Sequence, residues 1–144
     1  YVRETPYTFD TEPFSPGARD AWFEQFGSRG RHQLVVAASG DAVLGYACST
    51  SFKAKPAYGP LVETTIYLVP QATGQGIGRR LYGTLLARLA TEDVHRAIAG
   101  IVIPNAPSIA LHEQLGFQAA GTLDEAGRKF GQWWSVAWYL RRMS

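Results

Sequence analysis

A glycine-rich segment at residues 71–80, QATGQGIGRR, constrains the fold of this chain more than any other feature. It lies between an alternating apolar and polar stretch, typical of a β-strand, and a four-residue apolar repeat, typical of an amphipathic helix. Glycine allows successive backbone N–H groups to point at one spot, and a helix N-terminus adds unpaired amides and the positive end of its dipole. The segment therefore predicts a strand, turn and helix that bind an anion, although the glycines alone also fit a simple tight connection.

The residues on either side of the glycine segment define the strand and the helix. The strand is predicted at Val62–Val69 and the helix at about Gly78–Thr91. Alternation gives the strand two faces: Val62, Thr64, Ile66 and Leu68 on one, and Glu63, Thr65, Tyr67 and Val69 on the other. The predicted buried stripe of the helix is Ile77, Leu81, Tyr82, Leu85, Leu86 and Leu89. Arg79 and Arg80 fall in the first helical turn, where a cation is disfavoured by about 0.3–1 kcal/mol relative to an acid, so they favour a bound polyphosphate.

The other predicted elements mix strands and helices. Ser15 and Pro16 indicate the start of a short helix that ends before Gly30 and has Ala18, Ala21, Trp22 and Phe26 on one face. The remaining elements are hairpin strands at Gln33–Ala38 and Ala42–Ser49, a basic and aromatic loop at Phe52–Pro60, an apolar strand at Ala97–Ile103, a helix at Ile109–Leu115, and two strands from Phe117 onward with a turn at Gly127–Gly131. The last strand covers Trp133–Leu140, and its alternation predicts burial of Trp134 and Trp138 on one face. This order predicts an α/β or α+β fold with one mixed sheet.

Length and charge limit the possible partners. A chain of 144 residues fits one domain with its own hydrophobic core, and 14 basic against 12 acidic residues give a formal net charge of +2. That charge gives little bulk attraction to nucleic acid or to an anionic membrane. The single cysteine, Cys48, excludes an internal disulfide. The sequence contains no cluster of His and Cys residues with the spacing of a metal site. We therefore expect a cytoplasmic protein without a metal.

The glycine spacing excludes two common nucleotide-binding motifs. A P-loop that starts at Gly74 requires glycine at position 79, where Arg79 stands. The dinucleotide-binding pattern fails from Gly74 for the same reason, and from Gly76 because position 81 is Leu81. The spacing that does fit is Gln-x-x-Gly-x-Gly, formed by Gln71, Gly74 and Gly76.

This spacing resembles the acetyl-CoA pyrophosphate loop of the GNAT superfamily of N-acetyltransferases. The resemblance extends to residues 105–117, NAPSIALHEQLGF, to residues 62–67, VETTIY, to the turn at 127–131 and to the tryptophan-rich last strand. The ordered set is similar to the phosphinothricin and methionine-sulfoximine acetyltransferase branch and covers residues 1–142. It implies a mixed, mostly antiparallel central sheet flanked by helices, a homodimer, and one N-acetyltransferase domain. Because the family normally has a further strand ahead of the Tyr1 position, the resemblance also implies that the domain lacks its first strand.

The resemblance implies a set of acetyl-CoA contacts. The predicted pyrophosphate-binding residues are Gln71, Gly74, Gln75, Gly76, Ile77, Gly78 and, beside them, Arg79 or Arg80. Leu68 and Val69 would pair with the pantetheine arm as an added strand does. Asn105 and Ser108 would contact acetyl-CoA on its pantetheine side. Ser108 could equally cap the following helix.

The resemblance and the residue chemistry also predict catalytic and acceptor-binding groups. Glu63 would be the general base, since burial on an apolar strand raises the pKa of a carboxyl; an edge-strand glutamate paired with a lysine is the alternative. His112 would transfer a proton or position the substrate, although a helical histidine is more often packed or at the surface. Tyr82 is a further candidate acid, but its spacing favours the core. The predicted acceptor-binding residues are Lys53, Lys55 and Tyr58, and for Lys53 a solvated loop is an equal alternative.

The sequence thus predicts an acetyl-CoA-dependent N-acetyltransferase. The α-amino group of a small amino-acid-like substrate, of phosphinothricin or methionine sulfoximine type, would attack the thioester directly, with no role for Cys48. Because lysine lacks the planar fork of the arginine that this branch often carries at position 55, the substrate range would differ. The alternatives are a peptide or protein N-acetyltransferase, a non-catalytic acyl-CoA-binding module, and a phosphate-binding protein unrelated to CoA.

Overall fold

The computed structural model describes residues 1–143. Within these residues there are six strands and three α-helices, with one-turn 3₁₀ helices at Pro56–Tyr58 and Pro70–Ala72. The helices are α1 (Pro16–Glu24), α2 (Ile77–Leu89) and α3 (Ala106–Gln114). The strands are β1 (Leu34–Ser39), β2 (Ala42–Ser51), β3 (Leu61–Leu68), β4 (Arg96–Ile103), β5 (Gln118–Lys129) and β6 (Gln132–Arg142).

The strands form one mixed sheet in the order β1-β2-β3-β4-β6-β5. The pairs β1 with β2, β2 with β3 and β5 with β6 are antiparallel, and β3 runs parallel to β4. The parallel register joins Leu61, Val62 and Glu63 of β3 to Arg96, Ala97 and Ile98 of β4. The prediction of a mixed, mostly antiparallel sheet with flanking helices is confirmed.

The chain divides into two compact units, which are described separately. One unit contains residues 1–25 and 99–140, and the other contains residues 26–98 with the described residues from 141 onward. The glycine segment, Glu63 and the basic loop belong to the second of these units. Asn105, Ser108 and His112 belong to the first.

Helix α2 supplies much of the core around the glycine segment. Its apolar stripe contacts β1, β2 and β3, as the four-residue repeat predicts. The buried side chains of this stripe are Leu81, Tyr82, Leu85, Leu86 and Leu89. Full burial of one large apolar side chain contributes about 1.5–3 kcal/mol, so this face fixes α2 on the sheet and with it the position of the preceding turn.

Two predictions near the chain ends are corrected. Ser15 caps α1 as predicted, accepting from Ala18 N–H at 3.2 Å, but α1 ends at Glu24, so Phe26 lies outside the helix to which it was assigned. The β5–β6 turn consists of Phe130 and Gly131, both with positive φ, rather than the predicted 127–131. Gly127 lies within β5, where an added Cβ would come within 2.5 Å of the Phe9 ring. The close approach of this distant ring, and not a turn, therefore explains why position 127 is a glycine.

The tryptophans of β6 are also less buried than alternation predicts. Trp134 and Trp138 are only partly buried, and Trp133 is 58% exposed. The buried side chains of this strand are Val136, Ala137 and Tyr139. The rings cover neighbouring backbone instead: Trp138 lies 3.1 Å from the position of a Cβ on Gly100, and the Trp134 indole N–H donates to Lys129 O at 3.0 Å.

None of the helices in residues 1–143 has the length and apolar character needed to cross a membrane.

Candidate active site

The glycine turn joins β3 to α2 with its backbone in a left-handed conformation. Gly74 has φ +74°, and Gly76, the N-cap residue of α2, has φ +76° and no side chain to cap the helix. Arg80 N–H donates to Gly76 O at 3.2 Å as the first bond along the helix, so the preceding amides are those that an α-helix leaves without an intrahelical acceptor. A Cβ added at Gly74 or Gly76 would meet nothing within 4 Å, so the space outside the turn is open to a ligand.

Side chains of the turn hold it in place. The Gln75 side-chain amide donates to Gln71 O at 2.8 Å, and the Thr73 hydroxyl donates to Pro70 O at 2.7 Å. Arg79 and Arg80 are both exposed in the first turn of α2. The Gln75 side chain is therefore part of the support of the turn, and the groups left for an anion are backbone amides and the guanidinium of Arg79 or Arg80.

Val69 lies just past the end of β3 and is bonded within the fold through both of its backbone groups. Val69 N–H donates to Leu44 O at 2.8 Å, and Val69 O accepts from Ala72 N–H at 2.9 Å. The strand-like pairing of Leu68 and Val69 with pantetheine stays a prediction of the resemblance.

Glu63 lies on a central strand. It pairs with Thr50 of β2 on one side and with Ile98 of β4 on the other, which makes the edge-strand alternative wrong. Its side chain is half-buried, and within residues 1–143 it has no salt bridge. Desolvation by burial raises the pKa of this carboxyl above its ordinary value. A carboxylate of this kind takes up a proton more readily than an exposed one.

Tyr82 braces α2 against β3. Its side chain is fully buried, and its hydroxyl lies 2.6 Å from Thr64 Oγ1 on the strand position next to Glu63. Burial raises the pKa of the phenol far above its ordinary value. The interpretation of Tyr82 as a core residue is confirmed.

The basic loop between β2 and β3 contains all three predicted acceptor-binding residues. Lys53 Nζ lies 5.6 Å from the ring centroids of Phe52 and of Tyr58, and these rings meet edge to face at 6.2 Å. Ser51 Oγ donates to Lys53 O at 3.2 Å, and Lys55 is the exposed N-cap residue of the 3₁₀ turn. Both rings lie close enough to the Lys53 ammonium for a cation–π contact, and the residue itself is exposed.

In the other unit, Asn105 is the N-cap residue of α3. Its Oδ1 accepts from Ser108 N–H at 3.4 Å, and α3 begins at Ala106, three residues before the predicted start. The first helical turn tolerates Pro107 because the N–H that proline lacks would have no intrahelical acceptor there. The suggestion that Ser108 caps this helix is wrong, since Asn105 does so.

His112 is buried on α3 with only 3% of its surface exposed. Its Nδ1 lies 2.7 Å from Ser108 O, a geometry in which Nδ1 carries the proton and donates it. Phe117 meets the imidazole edge to face at 5.1 Å, and the Tyr139 ring lies 6.5 Å away. Burial lowers the pKa of His112, and the Ser108 carbonyl partly opposes this effect. The side chain is therefore neutral near pH 7.

Comparison with known proteins agrees with this fold. Residues 1–117 match the model of the acetyltransferase (GNAT) family. A phosphinothricin N-acetyltransferase of Streptomyces coelicolor is 52% identical over 143 residues, which are 98% of this chain and 84% of that protein. An L-methionine sulfoximine/L-methionine sulfone acetyltransferase of Pseudomonas aeruginosa is 32% identical over 92% of this chain and 77% of its own length.

A solved structure gives the same result. The phosphinothricin acetyltransferase of Sinorhizobium meliloti, in complex with acetyl-CoA, superposes with a TM-score of 0.90 at 34% identity. The match covers 98% of this chain and 76% of that one. The fold and these relatives thus define an acetyltransferase. The chain belongs to the GNAT family and is an acetyl-CoA-dependent N-acetyltransferase with a small-molecule acceptor.

Proposed function

We propose that this enzyme acetylates the α-amino group of a small amino-acid-like substrate that carries a second acidic or sulfoxide-like group. The amine attacks the thioester directly, without an acetylated enzyme intermediate. The observation that carries the proposal is Glu63, a half-buried carboxyl with a raised pKa and no salt bridge in the described chain, on a strand that leads into the glycine turn. Phosphinothricin and methionine sulfoximine, which the relatives' names include, are the model acceptors.

The glycine turn fits the pyrophosphate of acetyl-CoA. Two left-handed glycines without neighbouring atoms, the amides at the start of α2 and a first-turn arginine suit a polyphosphate anion. The proposed pyrophosphate-binding residues are Gln71, Gly74, Gln75, Gly76, Ile77, Gly78 and Arg79. Leu68, Val69, Asn105 and Ser108 are the proposed contacts to the pantetheine. When bound, acetyl-CoA supplies an acetyl group activated as a thioester.

Glu63 is proposed to accept the proton that the acceptor amine must lose before it attacks. An amino acid carries an ammonium group near neutral pH, and an ammonium has no lone pair for attack. A carboxylate whose pKa is raised by burial is a stronger base than an exposed one. A water molecule between the two groups would serve equally.

The basic loop is proposed to bind the acidic groups of the acceptor. Lys53 and Lys55 bring two positive charges to one nine-residue loop, and Tyr58 adds a hydroxyl donor. A lysine ammonium binds an anion as a point charge, without the two parallel hydrogen bonds of an arginine. We therefore propose that the enzyme accepts a broader set of acidic acceptors than an arginine at position 55 would allow.

A substrate screen tests this proposal. Thiol release from acetyl-CoA is measured with phosphinothricin, methionine sulfoximine, plain methionine and a short peptide with a free N-terminus. We expect kcat/KM for the first two to exceed that for the peptide by at least ten-fold. Faster turnover of the peptide would instead establish a peptide or protein N-acetyltransferase, and binding of acetyl-CoA without turnover of any amine would establish a binding module.

The role predicted for His112 is proposed to be positioning. At 3% exposure its ring does not meet a dissolved substrate, and its Nδ1–H is donated to Ser108 O within α3. The His112→Asn variant is expected to have a lower Tm and a higher KM for acetyl-CoA, because the N-cap residue of α3 is Asn105, a proposed pantetheine contact. Its kcat should keep the wild-type pH dependence. His95→Asn, at an exposed histidine, is the control. A loss of at least 100-fold in kcat together with a missing limb of the pH profile would show direct proton transfer by His112.

A single domain over residues 1–144, a homodimer, a cytoplasmic location and the absence of a nucleic-acid or membrane partner stay predictions of the resemblance and the composition.

A further inference from the structure

Arg31 reaches from the segment before β1 to the exit of the basic loop. Its Nε donates to Asp93 O at 2.8 Å, and its Nη2 forms a salt bridge with the Asp93 carboxylate. Its Nη1 lies over Gly59, since a Cβ added there would be 2.5 Å from this nitrogen and 3.1 Å from Pro56 O. The guanidinium therefore joins the turn before β4 to the last residues of the loop.

The backbone of Arg31 is itself fixed on the buried side. The Ser49 hydroxyl donates to Arg31 O at 2.8 Å and accepts from Gln33 N–H at 2.9 Å. Ser49 and Gln33 are both essentially fully buried, and Gln33 Nε2 donates to Gly30 O at 2.9 Å. The Arg31 side chain thus extends from a fixed backbone, so the position of its guanidinium relative to the loop is also fixed.

The exit of the loop is held at the same place by the main chain. Pro60 O accepts from His95 N–H at 2.8 Å and from Arg96 N–H at 3.3 Å. Just before it, Gly59 N–H donates to Pro56 O at 2.9 Å and Tyr58 N–H donates to Lys55 O at 3.0 Å. Any shift of the Gly59 backbone therefore moves Tyr58, whose ring is one of the two beside the Lys53 ammonium.

We propose that Arg31, with Asp93 and Gly59, forms a brace that positions the basic loop and thereby sets acceptor recognition. Arg31 is a positioning residue: it acts through Tyr58 and Lys53 rather than on the substrate. Its link to acceptor recognition rests on the proposed function of the loop, whereas its effect on loop order does not. None of these bonds involves the glycine turn or α2. Loss of the brace should therefore leave the affinity for acetyl-CoA unchanged.

A matched pair of variants tests the brace kinetically. The control is Arg29, whose side chain is 80% exposed and forms a salt bridge with Glu92 at 3.4 Å. This neighbouring arginine–carboxylate pair does not include a residue of the basic loop. Arg31→Ala should raise KM for the amine about 10–100-fold, because a small misplacement of binding groups is costly, with KM for acetyl-CoA within two-fold of wild type. Arg29→Ala should leave both constants within two-fold. Equal amine KM values for the two variants, or a parallel rise of both KM values in Arg31→Ala, would overturn the proposal.

Graded variants separate the contacts. Arg31→Lys keeps the charge but not the fork, so its amine KM should fall between those of wild type and Arg31→Ala. Gly59→Ala displaces the guanidinium and should raise the amine KM in the wild-type background, with a smaller effect when Arg31 is already alanine. Additive effects of the two substitutions would show that Gly59 and Arg31 act independently and would contradict a shared brace.

The hydrogen-exchange rates of the Tyr58 and Gly59 amides measure the order of the loop in the absence of any acceptor substrate. We expect faster exchange in Arg31→Ala than in Arg29→Ala or wild type, with Tm values of both variants recorded to exclude global unfolding. Equal exchange in the two variants would overturn the brace. If the wild-type enzyme acetylates none of the amino-acid acceptors, the proposed function fails, and the exchange result still decides whether Arg31 orders the loop.

Discussion

Glu63→Gln is expected to lower kcat/KM about 10²–10⁴-fold at pH 7, the usual contribution of a general base. The amide keeps the shape of the side chain but cannot take a proton, and it replaces one acceptor oxygen with an NH₂ donor. In the wild type, activity should rise with pH through the raised pKa of Glu63, because the ionised form is the base. Initial rates over pH 5–9 at saturating acetyl-CoA, with methionine sulfoximine as the acceptor, measure both effects.

The variant should recover activity only at alkaline pH, where the amino group of the acceptor loses its own proton without help from the enzyme.

The stability of the enzyme should change with pH in the direction opposite to its activity. Since the folded pKa of Glu63 exceeds its unfolded value, the folded state binds more protons in the interval between the two, and stability falls as pH rises through that interval. Glutamine removes this penalty, so the Tm of Glu63→Gln at pH 7 should equal or exceed that of wild type.

Glu24→Gln, on the exposed surface of α1, is the control and should leave rate and Tm unchanged. A Glu63→Gln enzyme with wild-type kcat/KM at every pH would remove Glu63 from the reaction. A loss of activity that accompanies a fall in Tm would assign the side chain to the fold instead.

The glycine turn and the helix after it were predictable because both depend on neighbouring residues. Positive φ at Gly74 and Gly76 and the apolar stripe of α2 follow from spacings within about 20 residues of sequence. Glu63 was predictable to the same extent, because a lone carboxyl in an apolar alternating stretch is unusual. Its place on a central strand was not, since the pairing partners Thr50 and Ile98 belong to other segments.

The features that the sequence did not predict depend on contacts between distant residues. Arg31 and Asp93 are 62 positions apart, and neither belongs to a recognisable motif. Gly127 resembled a turn residue, but its small size is explained by the Phe9 ring. In each case a nearby side chain or carbonyl, supplied by the fold, decides the role.

Gly76→Ala is expected to raise KM for acetyl-CoA about 10–100-fold, which corresponds to about 1.4–2.7 kcal/mol of binding free energy. The methyl group projects into the open space outside the turn, where the pyrophosphate is proposed to approach the amides, and no protein atom lies within 4 Å of it. A left-handed alanine also costs about 1–2 kcal/mol, so the folded state is destabilised to some extent. Steady-state kinetics at saturating amine and the thermal shift produced by acetyl-CoA measure the loss of binding.

Gly40→Ala separates the strain from the loss of binding. Gly40 lies in the β1–β2 turn at φ +57°, and a Cβ there also meets nothing within 4 Å, so the backbone strain matches that at Gly76. Both variants should lose a similar amount of Tm, and only Gly76→Ala should lose affinity for acetyl-CoA. If Gly40→Ala raised this KM equally, strain and not the shape of the turn would explain the effect. If neither variant changed KM, the pyrophosphate would bind elsewhere, and the glycine turn would be only a tight connection between β3 and α2.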